Sequence, residues 1–182
     1  MENFWYKKLE CADYDKIKAE VSKWVEPKVK NIVREQKFYF EMFLYKRMLA
    51  ASPTLVRWLD LLGTGPIKYV GLLLNSPNFV SGIHTDTDPG PGLGINIGLQ
   101  TKDTYTCLYD ITKGKPKLKK GGISTYYSYT DCVCEEHTRF DLTPHPIIFN
   151  TFLPHNVINP TDVWRVAITI RFEKDPWHLT VD

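Results

Sequence analysis

The sequence predicts a mainly β fold, read as a sandwich, barrel or jelly roll, with N-terminal helices packed on one of its sheets. Three observations predict it. Apolar residues recur at steps of three and four before Gly63, and at steps of two after it. Nine short β-rich runs follow Gly63, split by turn residues at close spacing. Two of those runs carry one greasy face and one face of polar or small residues. That suits a strand with helices on its greasy side and an inner pocket on the other.

The helical part comes first. In DYDKIKAEVSKWVEPKVKNIV, the residues Ile17, Val21, Trp24, Val25, Val29 and Val33 fall on one stripe. Asp13 suits the N-cap, and Pro27 is expected to kink or divide the helix. FEMFLYKRMLAA reads as a second helix. SPTLVRWLDLLG reads as a third, with Ser52 as cap, Pro53 in the first turn and Gly63 at the end. One domain, 1–182, is expected, with a helical support region over 1–62 and a β core over 63–175.

The β runs are IKYVGLLL, SGIHTD, LGINIGLQ, TYTCLYDI, STYYSY, TRFDL, PIIFNTF, PHNVIN and VWRVAITIRF. In the last, Trp164, Val166, Ile168, Ile170 and Phe172 form an apolar row, while Arg165, Ala167, Thr169 and Arg171 form the other row. In GINIGLQ, Ile95, Ile97 and Leu99 alternate with Gly94, Asn96, Gly98 and Gln100.

Composition narrows the function classes. With 43% hydrophobic and 24% charged residues, the 182-residue chain is globular rather than disordered. A net charge of +2 gives no general nucleic-acid footprint. Locally, Lys113, Lys115, Lys117, Lys119 and Lys120 form either a solvated hairpin loop or a docking patch for an anionic partner. MENFWYKKLE lacks the apolar core of a leader, and no apolar run is long enough to cross a bilayer. A cytoplasmic protein without a membrane partner is therefore expected. Cys11, Cys107, Cys132 and Cys134 read as reduced structural thiols, since CVC has no second pair to complete a zinc site.

The stretch SGIHTDTDPGPG carries the chemistry. His84 and Asp86 stand two apart, so on a strand they face the same side. A second histidine, His155, follows in NTFLPHNVIN, and Arg165 comes ten residues later on the polar row. His-X-Asp, a distant His and an Arg in this order, within a β-rich chain, resemble the Fe(II)- and 2-oxoglutarate-dependent oxygenase superfamily. The resemblance covers roughly Gly63 to Lys174. It implies a double-stranded β-helix, a cupin-like jelly roll. It also implies Fe(II) on His84, Asp86 and His155, with 2-oxoglutarate as cosubstrate. Mn, Ni, Zn or Co would fit the same ligands. Arg165 would bind the distal carboxylate of 2-oxoglutarate through its planar fork, with Ala167 leaving room beside it. An arginine pointing into the β-helix with no anion would be a costly buried charge.

Other residues have two readings. Tyr69 is either a cosubstrate contact or an ordinary strand aromatic, and Asn96 on the pocket row touches either cosubstrate or substrate. Arg171 shares the face of Arg165 and rivals it. Such pairs occur in the nucleic-acid demethylase branch, but the run before His84 lacks that branch's Asn-X-Tyr pattern. A small-molecule or peptide substrate is expected, hydroxylated with O2 to leave succinate and CO2. The alternative is a non-catalytic, metal-binding cupin-like jelly roll, which a fourth ligand such as Asp88 or His145 would favour. His137, His145 and His178 read as structural or exposed, the last on a fraying tail. Gly90, Gly92 and Gly94 precede a strand rather than a helix, so they form no dinucleotide loop. They read instead as a loop beside the metal.

Overall fold

The computed structural model describes residues 4–32, 38–42, 45–86, 92–121 and 124–181. The chain is mainly β, in two antiparallel sheets with few helices. Helix α1, Tyr14–Asn31, buries Tyr14, Ile17, Val21 and Val25 on one stripe. Contrary to expectation, it runs undivided through Pro27. Pro27 and Lys23 are both exposed, so water can satisfy the Lys23 carbonyl that the proline ring leaves without a donor. Asp13 is the N-cap but makes no side-chain cap bond. Val33 lies outside the described residues.

The second expected helix is only half helical. Phe38–Met42 is a strand, β2, and only Tyr45–Ala50 forms helix α2. Three consecutive aromatics, Phe38, Tyr39 and Phe40, favour extended backbone. They pair with the edge of β3, Ile67–Asn75. Another short strand, β1 at Tyr6–Lys8, also adds to the sheet. Residues 1–62 are therefore not simply a helical support. Helix α3, Pro53–Leu62, starts with its proline in the first turn and ends at Gly63, whose φ of 64° is left-handed. The Ser52 hydroxyl is buried without a partner. Instead, the Glu20 carboxylate from α1 accepts the Thr54 N–H and hydroxyl at the positive end of α3.

The first sheet runs β1, β11 (Ile147–Asn150), β6 (Leu93–Gln100), β13 (Arg165–Phe172), β3, β2. The second runs β10 (Val133–Phe140), β7 (Tyr105–Lys113), β12 (His155–Asn159), β5 (His84–Asp86), β9 (Ser124–Ser128), β8 (Lys117–Gly121). A two-residue strand, β4 at Phe79–Val80, also pairs with β12. Along the chain, β3, β5, β6 and β7 alternate between the sheets, as do β11, β12 and β13. This alternation is consistent with a jelly roll. The lysine-rich segment is a paired strand in part, since Lys117, Lys119 and Lys120 lie in β8.

Strand β13 separates two environments. Val166, Ile168, Ile170 and Phe172 share one buried cluster with Leu72, Leu74, Ile95 and Ile97 from the sheet and with Ile17, Val21 and Leu55 from the helices. Each such side chain contributes about 1.5–3 kcal/mol by leaving water. On the other face, Arg165, Ala167, Thr169 and Arg171 stand opposite Asn75, Leu73, Gly71 and Tyr69 of β3. Ala167 packs with Leu108, Ile147 and Phe149, joining the two sheets. A one-residue slip would put both arginines under the helices, so the apolar row fixes the register that aims them inward.

Candidate metal centre

His84 and Asp86 lie at the ends of β5, on one face of it. His155 opens β12 directly opposite His84. One ligand atom from each of the three lies within 4.8 Å of the others. The imidazole centroids of His84 and His155 are 4.5 Å apart, and His84 Nε2 is 3.9 Å from Asp86 Oδ1. Each imidazole is oriented by the chain two residues earlier. His84 Nδ1 is 2.9 Å from the Gly82 carbonyl, and His155 Nδ1 is 2.9 Å from the Leu153 carbonyl. A carbonyl only accepts, so both Nδ1 atoms donate and both Nε2 atoms keep lone pairs for a cation. Two imidazoles and a carboxylate form a donor set that fits Fe(II) and leaves coordination positions open.

The electrostatics suit that role. Burial in this site acts to raise the Asp86 pKa, but Arg171 and then the two histidines outweigh it and hold it below the usual range. Burial, aided by His84, pushes His155 down to about 4, so its imidazole is neutral near pH 7. Asp86 keeps 36% of its side chain exposed, so the site is reachable.

Both arginines lie inside, in different states. Arg171 makes a bond from each of its three nitrogens: Nη2 donates to Asp86 Oδ2 at 2.7 Å, Nη1 to Thr151 Oγ1 at 2.7 Å, and Nε to Thr169 Oγ1 at 3.3 Å. It lies across Gly94, where a Cβ would come within 2.8 Å of Arg171 Nε. Arg165 is buried, with 2% exposure. Its Nη1 donates to Asn75 Oδ1 at 3.1 Å, while its Nε has no partner among the described residues. Among the described residues no carboxylate lies within ion-pair distance of it. Burial outweighs the longer-range pull of Asp141 and lowers its pKa to about 10, which still leaves it charged at neutral pH. Asn96 Oδ1 and Thr106 Oγ1 are also buried without partners among the described residues. Thr106 shares the His155 face of the second sheet.

The remaining candidates separate clearly. Tyr69 is half-buried and directly opposite Arg171 on β3. His137 is exposed on β10, bonded to Asp110 and stacked on Trp5. His145 does not join the His84 group. His178 is tied down, since its Nε2 is 2.9 Å from the Leu62 carbonyl in the Trp177–Leu179 turn. Asp88 and Gly90 lie outside the described residues. All four cysteines are free thiols. Among the described residues no helix is long and apolar enough to cross a membrane.

Sequence reasoning missed several supports. Thr151 braces Arg171 and donates to the Gly92 carbonyl. Asp175 accepts the Gly92 and Leu93 amides. Tyr126 of β9 sets its ring edge-on to His84 at 6.2 Å. None of these lies in a periodic pattern or a spaced motif; only the tertiary register brings them to the site.

No family model matches the chain, and no curated protein does. Solved structures do. A prolyl hydroxylase from Trichoplax adhaerens, in complex with a hypoxia inducible factor oxygen degradation domain peptide fragment, matches with a TM-score of 0.57 at 12% identity, over 99% of this chain and 89% of that one. A Pseudomonas putida prolyl-4-hydroxylase gives 0.52 at 13% identity, over 94% of both chains. The non-haem α-ketoglutarate-dependent carbocyclase SnoK from nogalamycin biosynthesis gives 0.53 at 11% identity, over 93% of this chain and 79% of that one. At these identities the likeness is one of fold.

Proposed function

We propose that this chain is an Fe(II)- and 2-oxoglutarate-dependent oxygenase that hydroxylates a small molecule or a peptide side chain, with O2 consumed and succinate and CO2 released. One observation carries the reading. A buried, charged Arg165, with no ion-pair partner among the described residues, lies on the inward face of β13, the face from which Arg171 reaches Asp86 of the His-Asp-His group. A buried guanidinium with an unused N–H is costly unless an anion completes it. The fold neighbours point the same way, and one of them is bound to a peptide.

In this reading His84, Asp86 and His155 hold the iron through both Nε2 atoms and the carboxylate. Iron bound there supplies the activation of O2 that an unactivated C–H bond requires. Arg171 fixes one oxygen of Asp86 and leaves the other directed toward His84. Arg165 binds the far carboxylate of 2-oxoglutarate, which is also called α-ketoglutarate. The buried Thr106 hydroxyl, on the His155 face of the second sheet, is a second donor. Arg171 is the weaker candidate for that carboxylate because it is already ion-paired with Asp86 and bonded through all three nitrogens. The small side chains of Ala167 and Thr169 between the two arginines leave room for the five-carbon diacid.

The test is succinate formation from 2-oxoglutarate with Fe(II) and O2, over pools of small molecules and peptides. His84→Ala, Asp86→Ala and His155→Ala should each abolish turnover and sharply weaken iron binding. Iron retained by all three variants would remove the metal assignment. Tight metal binding without any 2-oxoglutarate binding would leave the non-catalytic cupin-like alternative.

A further inference from the structure

The lysine-rich hairpin is not used by the site described above, yet the register connects it to that site. Strand β9 lies between β5 and the edge strand β8. Asp86 stands opposite Tyr126, and Tyr126 opposite Lys119. His84, Ser128 and Lys117 form the parallel row. Residues opposite each other on paired strands project to the same side. Lys117 and Lys119 therefore share the face of the metal group, while Leu118 and Lys120 face away. At about 4.8 Å per strand, the Lys119 backbone lies about 10 Å from that of Asp86, within reach of one substrate's flanks. The Tyr126 ring against His84 closes the gap between them. Lys117 is ion-paired with Asp131, whose carboxylate attracts Lys119 only at longer range. Lys119 is exposed and has no ion-pair partner among the described residues. Beyond it, β8 is the last strand of its sheet, so its outer backbone groups can pair with an added extended chain.

We infer that this hairpin is the substrate-docking surface, and that the substrate is a peptide with acidic residues flanking the oxidised one. The inference rests on the oxygenase reading for its chemistry, but not for its binding test. Charge complementarity selects an acidic partner, and the open strand edge selects an extended polypeptide. Lysines on an edge strand also discourage edge-to-edge association. That role would not distinguish Lys119 from Lys120, whereas docking would.

The probe is a fluorescein-labelled decapeptide alternating Glu with Thr, followed by anisotropy, with a Lys–Thr peptide and oligo-dT as comparisons. Wild type should bind the acidic peptide best, and more weakly as salt rises. Lys119→Glu should weaken binding by about 3- to 10-fold, the scale of an exposed pair lost and reversed. Lys120→Glu, on the opposite face, and Lys23→Glu, on α1, should change it less than about twofold. Equal losses at Lys119 and Lys120 would overturn the inference, as would a preference for the basic peptide or for oligo-dT. Anaerobic 2-oxoglutarate binding to the iron-loaded protein is measured in parallel and should be unchanged in Lys119→Glu. Its absence in wild type, with peptide selectivity intact, would remove the oxygenase reading and leave the docking surface standing.

Discussion

Arg165 and Arg171 sit on one strand face, six residues and about 20 Å of backbone apart, yet they face different needs. Arg171 is bonded through all three nitrogens, to Asp86, Thr151 and Thr169, whereas Arg165 has a buried Nε with no partner among the described residues. Arg165→Ala should therefore retain iron and weaken 2-oxoglutarate binding by roughly 10²-fold or more, as a titration of the iron-loaded variant would measure. Arg165→Lys should restore only part, because an ammonium cannot match the planar fork. An Arg165→Ala variant with unchanged affinity would transfer the role to another cation. His155 gives a second prediction. Its imidazole takes a proton near 6.5 when unfolded but resists to about 4 when folded. Between those values the unfolded chain binds more protons, so stability falls as pH falls. Asp86, held low mainly by Arg171, works in the same direction at lower pH. Urea melts of metal-free protein should show a loss of roughly 2 kcal/mol between pH 7 and pH 5. An unchanged midpoint would mean that His155 is not buried as neutral imidazole.

At the scale of elements, strand β13 was the most legible part of the sequence, because its strict alternation by itself names the greasy face and the polar one. The grouping of His84, Asp86 and His155 was legible too, from His-X-Asp and a strand-opening His155. Helix α3 was legible from Pro53 and Gly63. The rest depended on partners that the local sequence does not name. Phe40–Met42 opens the run read as a second helix, but the edge of β3 recruits Phe38–Met42 as a strand. Likewise, Lys117–Lys120 reads as solvated loop because lysines are poor strand formers, and only β9 makes it a strand. Gly94 shows how closely β6 and β13 fit at the site. Gly94→Ala would place a methyl group against Arg171 and displace it from Asp86. Iron affinity should fall by about 10-fold or more, the scale of losing a group that orients a ligand, while secondary structure persists by circular dichroism. Unchanged affinity would show that Arg171 does not position Asp86.

On the scale of the whole molecule, helices cover the greasy side of the first sheet, and the two sheets enclose the polar row between them. The fold thus brings a metal-type group and a buried cation, Arg165, with no ion-pair partner among the described residues, to one interior, from strands distant in sequence. The central claim is that this interior binds iron and 2-oxoglutarate together. The most direct measurement is an anaerobic titration of 2-oxoglutarate into Fe(II)-loaded wild-type protein, followed by metal-to-ligand charge-transfer absorbance. A saturable visible band at one equivalent per chain, absent in His155→Ala, is the predicted result. Iron bound at His84, Asp86 and His155 with no band at any 2-oxoglutarate concentration would contradict it.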